Sequence, residues 1–281
     1  ICACFFLEAS RNKSDVNILE SGLFFRLDAS NVLEKNIASI IMPIGIDHKD
    51  FLKEGTIDEI VYEKCSHLLG ESKIFVSEQK NDVLEKIKKN ISNNSSEKFI
   101  FGENYGYKKN ANGFIYKDKI GKMNLPLPNL SGDFQISNVS TAIATARALG
   151  QFKITESHIK KAITKIRSEG RLQSIANGKL RKYVSKNNQI LIDGAHNPLA
   201  ALAVNKYLET LNSGRKIFMV LGMMANKEHR EFIQIFKGRI NSIVTLDIPN
   251  QTNFIKKGDL SKIAQSCGIP SKTENSIEEA L

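Results

Sequence analysis

Three groups of residues in this chain are of types that do chemistry together: Glu20, the pair Asp47-His48, and Asp193 with His196. Each follows a short apolar run. Glu20 comes after Asn17-Ile18-Leu19, Asp47 after Ser39 to Gly45, and Asp193 after Gln189 to Ile192. Open α/β sheets bind ligands just beyond the carboxyl ends of their strands, which is where these residues fall. Magnesium takes oxygen ligands and keeps several waters, so one carboxylate and one imidazole, with phosphates, suffice to hold it. Glu20 and His48 are therefore candidate metal ligands. Any one of these residues alone is equally well a helix cap or a satisfied histidine, and Glu20 can instead pair with Arg26 or Lys64. Lys64 sits on the apolar side of a helical segment, and a half-buried lysine is costly unless paired or modified.

The elements that must position these groups follow from periodicity. Residues 1–10 read as a buried helix, Val16 to Glu20 as a buried strand, 21–31 as a loop and Ala38 to Ile44 as a strand. Thr56 to Leu69 is a helix with Ile57, Ile60, Val61, Cys65 and Leu68 on one face, and Thr56 with Glu59 forms a capping box. Lys73 to Val76 is a strand and Asn81 to Lys89 a helix. Residues 101–116 predict a hairpin turning at Asn112-Gly113. Asn138 to Leu149 and Thr155 to Ile166 are helices, and Ser168 to Arg171 reads as a joint. Beyond it come strands at Gln189 to Asp193, Lys216 to Leu221 and Ser242 to Leu246. Helices alternate with them at Pro198 to Leu211, Glu228 to Phe236 and Asp259 to Cys267. This alternation predicts an α/β class with mostly parallel sheets in two domains, 1–168 and 169–281.

Bulk properties narrow the class of protein. The 281 residues are 41% hydrophobic, enough for a sizeable core, and no eighteen-residue apolar run suggests a membrane span. The formal charge of +10 is scattered rather than gathered in one arm, which argues against nucleic acid and suits anionic small molecules. Cys2, Cys4, Cys65 and Cys267 lack zinc or CxxC spacing and fit free thiols in a reducing, cytoplasmic setting. The opening ICACFFLEA reads as the middle of a helix and the closing SIEEAL as a first helical turn. A longer protein is expected on both sides.

Six ordered blocks carry a resemblance to a known family. They are ILESGLFFRLDASN (18–31), IGIDHKDFLKEGTIDEIVYEKCS (44–66), LPLPNLSGDFQISNVSTAIA (125–144), EGRLQSI (169–175), LIDGAHNPLA (191–200) and LGMMANKEH (221–229). They resemble the folylpolyglutamate synthase and dihydrofolate synthase family of the Mur ligase-like superfamily. The resemblance implies a central ATPase-type domain and a Rossmann-like glutamate-ligase domain. It implies an ATP-dependent ligase that adds L-glutamate to dihydropteroate or reduced folates through an acyl phosphate, as a cytoplasmic monomer. It makes Glu20, His48 and Lys64 magnesium ligands, with Lys64 carbamylated to support a second metal. Asn138 and Arg171 become nucleotide contacts, Asp193 and His196 the second domain's contribution to ATP and the acyl phosphate, and Lys227 a further contact there. The GxxxxGK[ST] phosphate loop of the family is not among these residues and is expected upstream.

The departures from the pattern are Phe24-Phe25 where the family has Gly-Gly, Asn226 for Asp, Phe134 for His and Cys65 for Ala. A Mur-type ligase acting on a cell-wall precursor and an inactive scaffold relative stay open beside the folate reading. The GLFFRLDASN and DGAHNP blocks favour the folate branch.

Overall fold

The structure is a computed structural model that describes residues 1–211 and 214–281. Its first sheet is parallel, with strands in the order β1 (Ser39–Ile41), β2 (Lys73–Val76), β3 (Glu97–Ile100). Helix α2 (Ile57–Cys65) joins the first two strands and α3 (Asn81–Ile91) the next two, and both pack Ile, Val and Cys side chains on one sheet face. Parallel strands need such crossovers, because a tight turn cannot bring the chain back in the same direction. Thr56 starts α2 as predicted. Its hydroxyl accepts the Glu59 N–H and the Glu59 carboxylate accepts the Thr56 N–H, both at 3.3 Å. Replacing Thr56 with Ala should lower the unfolding free energy by about 1 kcal/mol, read as a shift of the urea midpoint at unchanged slope.

The second sheet is an antiparallel meander of β4 (Tyr105–Asn110), β5 (Gly113–Asp118) and β6 (Gly121–Leu125). The hairpin turns one residue earlier than predicted. Asn110 pairs with Gly113, so the two-residue loop is Ala111-Asn112. Gly113 is needed for a different reason, because a Cβ there would lie 2.1 Å from the Leu125 carbonyl oxygen. The meander packs Phe114 and Tyr116 against α4 (Phe134–Leu149) and α5 (Glu156–Lys165), sharing a core with the stacked rings of Phe75 and Phe99. β6 went unpredicted because Gly121 to Leu125 carries little apolar alternation.

Residues beyond the joint build a third sheet, parallel, in the order β11-β10-β9, once the short antiparallel pair β7 (Gln173–Ser174) and β8 (Leu191–Ile192) has been made. Here β9 is Phe218–Leu221, β10 Ser242–Thr245 and β11 Ser271–Thr273, and α6 (Pro198–Glu209), α7 (His229–Gln234) and α8 (Lys257–Ser266) cover them. A four-residue helix, α9 (Ile277–Ala280), closes the described chain.

Two predictions fail near the start. Helix α1 (Cys2–Arg11) forms, but none of its residues is buried. Val16 to Glu20 forms no strand, and Ile18 is 86% exposed. A strand needs a ladder partner, and this segment pairs with no strand among the described residues. The predicted strand at Gln189 to Asp193 shortens to Leu191–Ile192, since only Gln173 and Ser174 pair with it. All four cysteines are free, as expected.

Candidate active site

The chain after β1 is hung on one side chain. Gln79 accepts the Ile44 N–H at 2.9 Å and donates to the Met42 carbonyl at 3.1 Å, which fixes the route to Asp47. His48 then takes a left-handed conformation, φ 56°, and its N–H donates to Asp47 Oδ1 at 2.8 Å. The imidazole and the Asp47 carboxylate thereby face the second half of the chain.

Three side chains from that half meet Asp47. Asn197 caps α6 by accepting the Ala200 N–H at 2.9 Å, which leaves its amide N–H free to donate to Asp47 Oδ2 at 2.8 Å. Lys227, in the turn after β9, donates to Asp47 Oδ1 at 2.7 Å, and its side chain is only 7% exposed. His196 brings Nε2 to 3.4 Å from Asp47 Oδ2 while its Nδ1 meets the Gly194 carbonyl at 2.9 Å. Burial alone would raise the Asp47 pKa, but the bonds from His196, Lys227 and Asn197 overcome it and hold the carboxyl well below the usual range. Asp47 in turn raises His196. Burial lowers His48, with the cations nearby adding to it, and so favours its neutral, lone-pair-bearing form. Removing one partner of a buried pair leaves an uncompensated charge and costs ~3–5 kcal/mol, so Asp47 and Lys227 depend on each other.

Lys64 lies on α2 beside this cluster. It has no hydrogen bond or ion pair among the described residues, and its ammonium sits 5.6 Å from the centre of the Phe24 ring. Burial lowers its pKa, toward the neutral amine. Phe24 occupies φ 55° and sets its ring edge-on to His48, with centroids 6.2 Å apart. Asp28 shapes this loop by accepting the N–H groups of Gly22, Leu23 and Ser30, and Arg26 anchors it on the Glu63 carboxylate. The sequence suggested Arg26 or Lys64 as partners for Glu20. Arg26 is taken by Glu63, and Glu20 is exposed and makes no hydrogen bond or ion pair among the described residues.

Of the other predicted residues, Asp193 accepts the Leu172 N–H at 2.7 Å and the Ala195 N–H at 2.8 Å, tying the joint to the strand end. The Arg171 guanidinium lies against Gly194. Asn138 is one turn into α4 and bonds Gln135 at 3.1 Å. The structure therefore gathers His48, Lys64, His196 and Lys227, and among the described residues no hydrogen bond or ion pair links them to Asn138 or Glu20. Among the described residues no group of three or more His, Cys, Asp or Glu could hold a metal ion. Sequence reasoning paired Asp47 with His48 but gave it no role of its own, and it did not find the Asn197 amide as its donor. The one available signal was an aspartate next to a candidate ligand at a strand end.

Comparison with known proteins places this geometry. Residues 170–281 match the Mur ligase, glutamate ligase domain. The fold is that of the Escherichia coli FolC protein in complex with DHPP and ADP, at a TM-score of 0.77 and 24% identity over 92% of this chain and 57% of that one. It is also that of a Mycobacterium tuberculosis folylpolyglutamate synthase complexed with ADP and AMPPCP, at 0.84 and 21% over 99% and 63%. The chain is of the Mur ligase-like class. Within that class the chain is similar to the dihydrofolate synthase/folylpolyglutamate synthases. Proteins of that name from Buchnera aphidicola subsp. Schizaphis graminum and Escherichia coli K12 are 27% and 29% identical to it, over 88% and 76% of this chain. The chain spans about half the length of these relatives, 56% and 47%.

Proposed function

We propose that this chain carries much of the site of an ATP-dependent ligase that joins L-glutamate to dihydropteroate, to reduced folates, or to both. The observation that carries the reading is the convergence of Lys227, His196, His48 and Lys64, from both halves of the chain, around the one carboxylate of Asp47. Four basic groups about one acid leave a surplus of positive potential, which suits polyphosphate and carboxylate substrates. On this reading an acceptor carboxylate attacks the γ-phosphorus of ATP and ADP leaves. The glutamate amine then attacks the acyl carbon and phosphate departs. His196 and Lys227, brought in by the second half, would stand where charge gathers on the transferred phosphoryl group. Joining the two halves would also exclude the water that destroys an acyl phosphate.

A divalent metal belongs to this reading: His48 would offer an imidazole nitrogen and Lys64 an amine whose neutral form can take up carbon dioxide as a carbamate, while Glu20, an exposed carboxylate outside the cluster, would join them as a further ligand. Magnesium would offset the repulsion between the anionic acceptor and ATP. On this reading two metal sites are used, with Lys64 supporting the second. Asn138 and Arg171 contact the nucleotide, and 1–168 and 169–281 are the two domains of a cytoplasmic monomer. No helix among the described residues is long and apolar enough to cross a membrane.

Phosphate release by the whole protein tests this, with ATP, magnesium and glutamate plus dihydropteroate, a reduced folate, or no acceptor. Release with both acceptors supports a bifunctional ligase, and release with one fixes its class. Release with neither sinks the folate reading and makes a cell-wall precursor the next acceptor to try.

A further inference from the structure

We infer that Asp47 is a positioning residue: it is the fixed point in the first half onto which the second half latches, and Lys49 with Glu228 forms a second, adjacent latch. The inference builds on the ligase reading, but its geometry stands independently. Asn197 and Lys227 lie 150 and 180 residues from Asp47 in sequence, and both donate to it at hydrogen-bond distance. Asp47 takes one of these two donors on each oxygen, so its carboxylate fixes a direction as well as a separation. Around it the halves fit closely. A Cβ on Gly45 would lie 2.9 Å from the Leu199 side chain, so the absence of a side chain at 45 is what allows α6 to approach. Two residues beyond Asp47, the Lys49 ammonium lies 3.4 Å from Glu228 Oε1, and Glu228 is the residue after Lys227. The other Glu228 oxygen is buried and has no partner among the described residues. That carboxylate does not cap its own helix, α7, but faces Lys49 across the junction.

Two neighbouring contacts of opposite polarity, acid to base at 47–227 and base to acid at 49–228, define one register. A shifted register would bring like charges together. In that register His196 stands beside His48, and the basic cluster is complete. Asp47 acts on the reaction through the groups it seats. An error of ~1 Å in such seating costs on the order of 100-fold in rate.

The test uses the whole protein with two readouts, turnover and the radius of gyration from small-angle scattering. Asp47→Ala and Asp47→Asn should lower kcat by roughly tenfold to 100-fold with KM for ATP changed little, and Asp47→Ala should enlarge the radius. Lys49→Glu and Glu228→Lys should each lower kcat by about threefold, and the double exchange should restore it. Wild-type kcat in Asp47→Ala, a change confined to KM, or a double exchange no better than its singles would overturn the inference. If the wild type turns over none of the acceptors, the ligase reading fails alone. The latch then stands or falls on the radius, which must rise in Asp47→Ala and in both single exchanges and return in the double.

Discussion

Lys64→Met should cut acceptor-dependent phosphate release by on the order of 100-fold or more and, at the same time, raise the stability of the fold. The two effects have one cause. Lys64 is a half-buried ammonium with no hydrogen bond or ion pair among the described residues, so the fold bears its desolvation without compensation. Methionine keeps the unbranched stem that packs along α2 and removes the charge. The gain in stability should be about 1 kcal/mol, read as a higher urea midpoint. A residue held for packing alone would give the opposite result, a lower midpoint with turnover intact. Either half of that opposite result would count against a role for Lys64 in the chemistry.

The largest loss of stability should come from Arg147→Met. Arg147 Nε donates to Asp118 Oδ2 at 2.7 Å, and the two side chains are 11% and 9% exposed. Breaking a buried pair costs ~3–5 kcal/mol because the survivor is left charged in a poor solvent. The low end applies here, since Asp118 keeps the N–H groups of Ile120 and Gly121 and the Tyr116 hydroxyl. The loss should depend on pH. Burial alone would raise Asp118, but the Arg147 hydrogen bond and the two N–H groups outweigh it and depress its pKa in the folded state. The pair therefore contributes fully above the unfolded value of about 4, and its contribution fades as pH falls through the lower folded value. The gap in unfolding free energy between wild type and variant should be wide at pH 6 and narrow steadily below pH 4. A gap that stays constant into acid would mean that Arg147 acts by packing.

Much of the frame is legible in the sequence because it is local. The capping box at Thr56, the proline opening α6, and the alternation of β-branched runs with amphipathic segments each fix an element without reference to distant residues. What fails is non-local. Val16 to Glu20 has a strand's composition, but composition does not supply a ladder partner. Gly113 looks like a turn residue because it follows Asn112. Its real constraint is the Leu125 carbonyl, which reaches it from the far end of the next strand. The candidate site divides the same way. His48, Lys64, His196 and Lys227 were found by type and by family pattern. Asp47 was noticed beside His48 but given no role of its own, because its meaning lies in donors 150 and 180 residues away.

Phe24 has a consequence of another kind. At φ 55° a side chain with a Cβ is under strain of about 1 kcal/mol or more, and glycine there would be free of it. The ring is held down by its packing beside His48 and Lys64. A displacement of Phe24 from Lys64 that also lets φ return to a negative value would recover that strain, so the backbone would offset part of what the lost packing costs.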